Sequence, residues 1–352
     1  MPPPILQKQA IGTGFILYGI ALLLTQMPAP VFAQSSGAEA GETANRDTAA
    51  QTVEWRGPTM RARGRIYGSF ESIEPPGRAQ GDPRLNDTYL RRADVTLRGS
   101  LLENLGYYFK SEFMDGELDI RDAYIDYDAG YVTILAGFLD PIDEVMIPAY
   151  REFMEGASME SFAPGNQLGF GLFSEGDYWT VYAAAFKNTI AGWRVEEAGA
   201  TYSTRFTIAP PVPEGYLLHI GAYASLRTAD DEEELFRYSA RSLLRTGERF
   251  VDTGAVADKE MLLGMELAGN IGSASFESQC AVIRATVPSS EFHSYLNGCY
   301  ISGIWTLTGE SRNYGGDGFS LLDVDRPVFE GGPGAWQTGL RYDTIDLSDG
   351  AI

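Results

Sequence analysis

From about Met60 onward this chain alternates. Polar and apolar side chains take turns with a period of two, segment after segment, almost to Ile352. In the first segment Arg61, Arg63, Arg65 and Tyr67 share one face, and Ala62, Ile66 and Phe70 share the other. Arg92, Asp94, Thr96 and Arg98 then oppose Ala93, Val95 and Leu97. Tyr108, Lys110 and Glu112 oppose Tyr107, Phe109 and Phe113, and Asp122, Tyr124 and Asp126 oppose Ala123, Ile125 and Tyr127. An extended chain turns successive side chains to opposite faces, so the pattern specifies strands with one wet and one apolar face. Similar runs near 131–138, 167–175, 178–187, 195–208, 215–227, 235–244, 259–269, 272–286, 292–307 and 335–347 bring the count to about 14 candidate strands.

Strands close to ten residues long with aromatic ends fit a tilted membrane strand better than the usual shorter soluble one. A soluble sandwich or propeller also alternates and is the competing architecture. If the strands enter lipid they must close on themselves, because an open ladder edge leaves backbone groups without partners. The fold class expected is therefore all-β, a transmembrane antiparallel β-barrel. A mean hydropathy of −0.16 excludes a helical membrane bundle, yet suits strands that are apolar on one side only.

The N-terminus supports export. Lys8 precedes an apolar run over 11–24, followed by Pro28, Pro30 and the tripeptide Val31, Phe32, Ala33. This is the charged, apolar and small-residue order of a signal peptide, and the run is short for a membrane span. The reading is a signal peptide over 1–33 cleaved after Ala33, a flexible polar lead-in over 34–57, and a barrel over 58–352. With the first strand rising from the periplasm, long external connections fall at 72–88, 139–166 and 308–334. Short periplasmic turns fall at 102–104, 128–130, 175–177 and 288–290, as barrels of this kind prefer. Two links break the rule: 245–258 is long where a turn belongs, and the link near 270 is short where a loop belongs.

The chain carries 48 acidic and 27 basic residues, a net charge of −21, which excludes the basic footprint of nucleic-acid binding. Against that background Arg61, Arg63 and Arg65 stand out. A period of two stacks them at about 7 Å along one face. On a channel wall, with Arg92, Arg98 and Lys110 beside them, they would form a track that holds anions weakly at successive points. The competing reading is neutralisation by Asp94, Asp122 and Asp126 on the same face. The acidic run Asp230, Asp231, Glu232, Glu233, Glu234 reads as a solvated loop face.

Cys280 and Cys299 are the two cysteines. A hairpin centred on Ser289 and Ser290 places them directly opposite each other on the lipid side, with Phe276 and Ile301. Two readings stay open: a disulfide, or two small apolar residues facing lipid, since direct cross-strand pairs make poor disulfide geometry. His219 and His293 are too few for a metal site, and no Ser, His and acid arrangement stands out. No catalytic residue, metal or cofactor is expected.

Several stretches resemble the phosphate-selective porin O and P family. They are Leu90, Arg91, Arg92, Ala93; Arg121, Asp122, Ala123, Tyr124, Ile125; Ser161, Phe162, Ala163, Pro164, Gly165; and Arg249, Phe250, Val251, Asp252, Thr253, Gly254. Leu307, Thr308, Gly309, Glu310 follow, then Gly334, Ala335, Trp336, Gln337, Thr338, Gly339, Leu340, Arg341, Tyr342 with Asp346 and Leu347. The resemblance implies a barrel of the 16-stranded type, usually a homotrimer, which needs one further hairpin after Ile352 unless the barrel closes at 14. It also implies that the third external loop, here 139–166, folds inward to narrow the pore. Arg151, near the middle of that loop, is the constriction candidate, the alternative being a pair with Glu152 or Glu155. Three positions depart from the family's pattern: Leu139 where a Lys is usual, and Gly156 and Asn166 where an Arg is usual. A tight phosphate site needs several converging donors and positive charge, so strong phosphate specificity is not expected.

The function read from this sequence is an outer-membrane porin passing small hydrophilic, anion-leaning solutes, with membrane lipid and lipopolysaccharide as its surroundings. The second reading is an outer-membrane structural or adhesion barrel without a channel.

Overall fold

The structure, a computed structural model, describes residues 57–73, 85–114, 116–140, 153, 156–187, 199–229, 235–241, 249–288, 293–315, 318–319 and 322–349. The leader over 1–33, Arg151 and the acidic run 230–234 lie outside these residues. The fold is all-β. Its strands are β1 (Arg61–Ile73), β2 (Leu85–Leu102), β3 (Leu105–Met114), β4 (Glu117–Asp128) and β5 (Thr133–Leu139). Then come β6 (Gln167–Gly176), β7 (Trp179–Lys187), β8 (Ala200–Ile208), β9 (Tyr216–Thr228) and the hairpin of β10 (Phe236–Arg241) and β11 (Arg249–Ala257). The last four are β12 (Lys259–Ile271), β13 (Ala274–Thr286), β14 (His293–Thr306) and β15 (Gln337–Asp346).

Thirteen of these form one antiparallel sheet in chain order, with β9 pairing β12 across the β10–β11 hairpin. The alternation decides which face is which. On β12, Met261, Leu263, Met265, Leu267 and Ile271 look outward, while Glu260, Leu262, Glu266, Ala268 and Asn270 are buried on the other side. The outer face continues through Ile66, Phe70, Leu118, Phe170, Tyr202, Ile301 and Leu340, all exposed. So large an apolar surface is incompatible with water and fits lipid.

The sheet is strongly curled. The Glu160 carboxylate interacts electrostatically with both Arg92 on β2 and Arg341 on β15. These strands stand eleven steps apart in the sheet order, about 53 Å in a flat sheet. Charges that far apart are screened from each other in salt water, so one group can sense both only if the sheet's two ends bend toward each other.

Two expectations are corrected. The run 235–244 is not a wall strand. The segment β10 within it pairs with β11 alone, through a ladder broken by three register shifts, and the hairpin lies against the inner face. Tyr238 is its anchor, buried among apolar side chains and bonded through its hydroxyl to Glu260 on β12. The wall therefore holds thirteen described strands rather than 14. Removing one strand reverses the direction of all that follow. The 245–258 link becomes part of a long connection, and Gly272 and Ser273 become a tight turn at the short-turn end. Both irregularities in the loop pattern thus disappear. The same reversal moves 308–334 to the short-turn end and the β13–β14 link to the long-loop end.

The inner face is apolar on one side. Tyr223, Leu262, Ala281, Ile283, Ala285, Leu296 and Tyr300, from β9 and β12 to β14, form a strip covered by Ala157, Met159, Phe162, Tyr238 and Ala257. Met159 and Phe162 belong to a 3-10 turn, Ser158–Phe162, and are 0% and 1% exposed. Burying each stabilises docking by about 1.5–3 kcal/mol. Gly298 on β14 permits the approach, because a Cβ there would lie 2.9 Å from Met159 Cβ and 3.3 Å from Phe162 Cε2. Gly298→Leu should overpack this contact at about 1–3 kcal/mol and loosen the segment. Single-channel recording should then show higher and noisier conductance; an unchanged trace would mean the segment does not narrow the channel.

Candidate functional site

The polar face of β1 to β4 is laid out in cross-strand rows. Arg61 pairs Arg98, Arg98 pairs Tyr108 and Tyr108 pairs Tyr124. The next row is Arg63, Thr96, Lys110 and Asp122, and the one after it Arg65, Asp94 and Glu112. The six predicted cations thus share one inner surface, but in two electrostatic states. Arg65 Nε lies 3.0 Å from Asp94 Oδ1, Arg92 pairs with Glu112, and Lys110 Nζ lies 4.0 Å from Asp122 Oδ2. Arg61, Arg63 and Arg98 make no ion pair among the described residues. Neutralised and unpaired cations are thus both present, the first deeper in the wall and the second toward the short-turn end.

Two arginines join this surface that strict alternation leaves out. The β1–β2 register shifts at Tyr67, and Arg91 is the extra residue. Its guanidinium is buried and donates to Ser69 Oγ at 3.4 Å and Tyr89 Oη at 3.3 Å. The β3–β4 register shifts at Lys110, and Arg121 is the extra residue, 3.5 Å from Glu112. A bulge places two residues against one and re-aims a side chain. Adjacent like residues at 91 and 92 were the available signal for the first; 121 carries none.

The inward segment places its own groups over the same space. Ser158 N–H donates to Asp343 on β15 at 2.8 Å, Arg341 Nη2 donates to Gly156 O at 2.9 Å, and Asn166 Nδ2 donates to Asp122 on β4 at 3.0 Å. The three positions lacking family cations have other uses. Leu139 is buried, Asn166 ties the segment to β4, and Gly156 leaves room for Glu160, whose carboxylate a Cβ there would strike. Burial pushes the Glu160 carboxyl up to about 7, against the pull of Arg341 and Arg92.

The opposite wall carries a buried polar cluster that sequence reading missed. Arg205 grips Glu266 in two bonds of 2.8 Å and 3.1 Å, and Gln279 Nε2 donates to the same carboxylate at 3.3 Å. Gly221, the cross-strand partner of Glu266, makes room for it. His219 is fully buried here, 2.6 Å from the Tyr314 hydroxyl. Tyr314 belongs to a stretch that enters from the short-turn end. Asn270 Nδ2 donates to Arg312 O at 2.8 Å, and the Arg312 guanidinium pairs with Glu277. These residues are scattered through the sequence and lack a shared motif, so only the fold collects them.

Cys280 and Cys299 are cross-strand partners on the outer face and are joined as a disulfide. A maleimide reagent should label the denatured protein only after reduction; labelling without reductant would refute the bridge.

A curled antiparallel sheet with an apolar outside, a charged inside and inserted segments defines the class: a transmembrane β-barrel with a partly filled, water-facing lumen. Residues 60–352 match the family described as phosphate-selective porin O and P; the chain belongs to that family and is an outer-membrane porin. A Caulobacter vibrioides protein described as uncharacterized is 25% identical over 356 residues, covering 93% of this chain and 71% of that one. Among solved structures, outer-membrane expressed OmpT of Vibrio cholerae is 12% identical with a TM-score of 0.44, covering 83% of this chain and 99% of its own. Acinetobacter baumannii OccAB1 is 11% identical with a TM-score of 0.36, covering 82% of each chain.

Glu160 yields a pH prediction. Its proton is held more tightly in the docked segment than in a free chain, so docking weakens as pH rises from 4.5 to about 7. The same rise adds a negative charge to the inner surface near Arg92 and Arg341. Anion preference should therefore fall as pH rises through about 7, and Glu160→Gln should hold it at its acid-side value. Reversal potentials at several pH values check both.

Proposed function

We propose that this porin passes small hydrophilic anions by passive diffusion along the β1 to β4 side of its lumen, without a catalytic step. The observation that carries this is the lopsided interior. The β9 to β14 side is covered by the inward segment, the β10–β11 hairpin and the stretch around Arg312. The β1 to β4 side presents Arg61, Arg63 and Arg98 without carboxylate partners among the described residues. Fixed positive charge lining a narrow wet path raises the local concentration of anions. Phosphate passes as one anion among others, since Leu139, Gly156 and Asn166 supply no positive charge.

The protein on this reading is exported by the leader over 1–33 and sits among outer-membrane lipid and lipopolysaccharide. It assembles as a homotrimer, as the family resemblance implies. The second reading, a structural or adhesion barrel without a channel, draws on the same three insertions, which together would block flow. Planar-bilayer recording in a salt gradient separates them. The wild-type protein should conduct with anion preference, and changing Arg61, Arg63 and Arg98 together to Ala should lower the anion-to-cation permeability ratio roughly threefold or more. A selectivity unmoved by that variant sinks the arginine track, and a silent membrane favours the barrel without a channel.

A further inference from the structure

The row nearest the short-turn end is unlike those beyond it. Arg61 and Arg98 are direct cross-strand partners, and like charges so placed repel and destabilise a sheet. Elsewhere on this face Arg65, Arg92 and Lys110 are matched by acids, and Arg63 faces Thr96 rather than a second cation. Next in the row come Tyr108 and Tyr124, with ring centroids 5.2 Å apart and planes within 14° of parallel. Asp126 follows two residues along β4. Together with Thr59, Gly99, Ser100 and Tyr107 these five line an open hollow of about 410 Å³, large enough for a single sugar-sized molecule.

Two glycines shape this hollow. Gly106 is the cross-strand partner of Asp126, and a Cβ there would lie 2.4 Å from its carboxylate. Gly137, partner of Tyr124 with φ of 144°, would carry a Cβ 2.6 Å from Tyr124 Cα. Each glycine lets the opposite side chain settle back against the wall, and the space in front stays open.

Three chemistries meet there. Two guanidinium forks suit a carboxylate or similar oxyanion, each able to give paired N–H donors. Aromatic faces suit the apolar side of a ring, and the phenol hydroxyls suit polar substituents at its edge. The Asp126 carboxylate accepts hydrogen bonds from hydroxyls and repels surplus negative charge, which favours a monoanion over a dianion. We propose that this row is a binding site for monoanionic monosaccharides of the sugar-acid class, the carboxylate on Arg61 and Arg98, the ring on the tyrosines and a hydroxyl on Asp126. The inference deepens the diffusion reading and rests on it for access to the site.

The test uses the full chain refolded in detergent, with binding read by saturation-transfer NMR and equilibrium dialysis. The probes are glucuronate, acetate and glucose. Glucuronate should bind about tenfold or more tightly than either of the others, because only it engages all three groups. Tyr108→Leu with Tyr124→Leu should reduce glucuronate to the acetate level, and Arg61→Gln with Arg98→Gln should reduce it to the glucose level. Heat-modifiable electrophoretic migration checks that each variant folds. The wild-type comparison alone is decisive: acetate or glucose matching glucuronate, or no binding by any probe, overturns the proposal. Conductance keeps the two readings apart. An anion-conducting pore blind to glucuronate overturns the site alone, and a glucuronate-binding barrel that passes no current overturns the diffusion reading alone.

Discussion

Met159 and Phe162 press against Leu262, Ile283, Leu296 and Tyr238, and much of the interior follows from that contact. A barrel that conducts must be wet inside, whereas an inserted segment stays put only if it buries something. This chain separates the two demands by position. The strip of inner wall between β9 and β14 abandons polarity for Ala, Ile, Leu and Tyr, and two insertions lie down on it. Hydrophobic burial is non-directional, so hydrogen bonds set the orientation: Ser158 to Asp343, Arg341 to Gly156 and Asn166 to Asp122.

Electrostatics follows the same division. The charges of the filled side are locked into pairs, Arg205 with Glu266, Arg227 with Glu260 and Arg312 with Glu277. Buried ion pairs of this kind add little net stability, yet removing one partner costs several kcal/mol by leaving the other stranded (about 3–5). Arg312 with Glu277 pins an inserted stretch to the wall, and the other two pairs tie wall strands together. Arg227 also stacks over Phe236 at 3.8 Å, so the hairpin is held by charge and ring together. The chain's large acidic excess says little about the pore, because selectivity depends on which charges face the path.

Much of the wall was legible. Alternation assigned faces correctly across β1 to β4 and for Phe276, Cys280, Cys299 and Ile301 on β13 and β14, since a half-lipid, half-water strand has no other way to satisfy both solvents. The Cys280 and Cys299 register followed from simple hairpin symmetry and is the observed one. What failed was one assignment: Phe236 to Ala240 alternates like a wall strand because it, too, has one buried side, which here faces the inner wall. Period alone cannot distinguish a strand against lipid from a strand against the inner wall. Glu160, Arg205, Glu266 and Arg312 were invisible for another reason, as their roles depend on partners far away along the chain.

The bulges at Arg91 and Arg121 carry a last consequence. In a membrane strand, gaining or losing one residue swaps every later side chain between oil and water, so such changes are ordinarily fatal. A bulge is a place where that slip has already been absorbed. Length changes of a single residue near 91 or 121 would merely tighten or relax the kink, leaving the rest of β2 and β4 in phase. At both of these points the sequence can drift in length while the lining of the pore keeps its pattern.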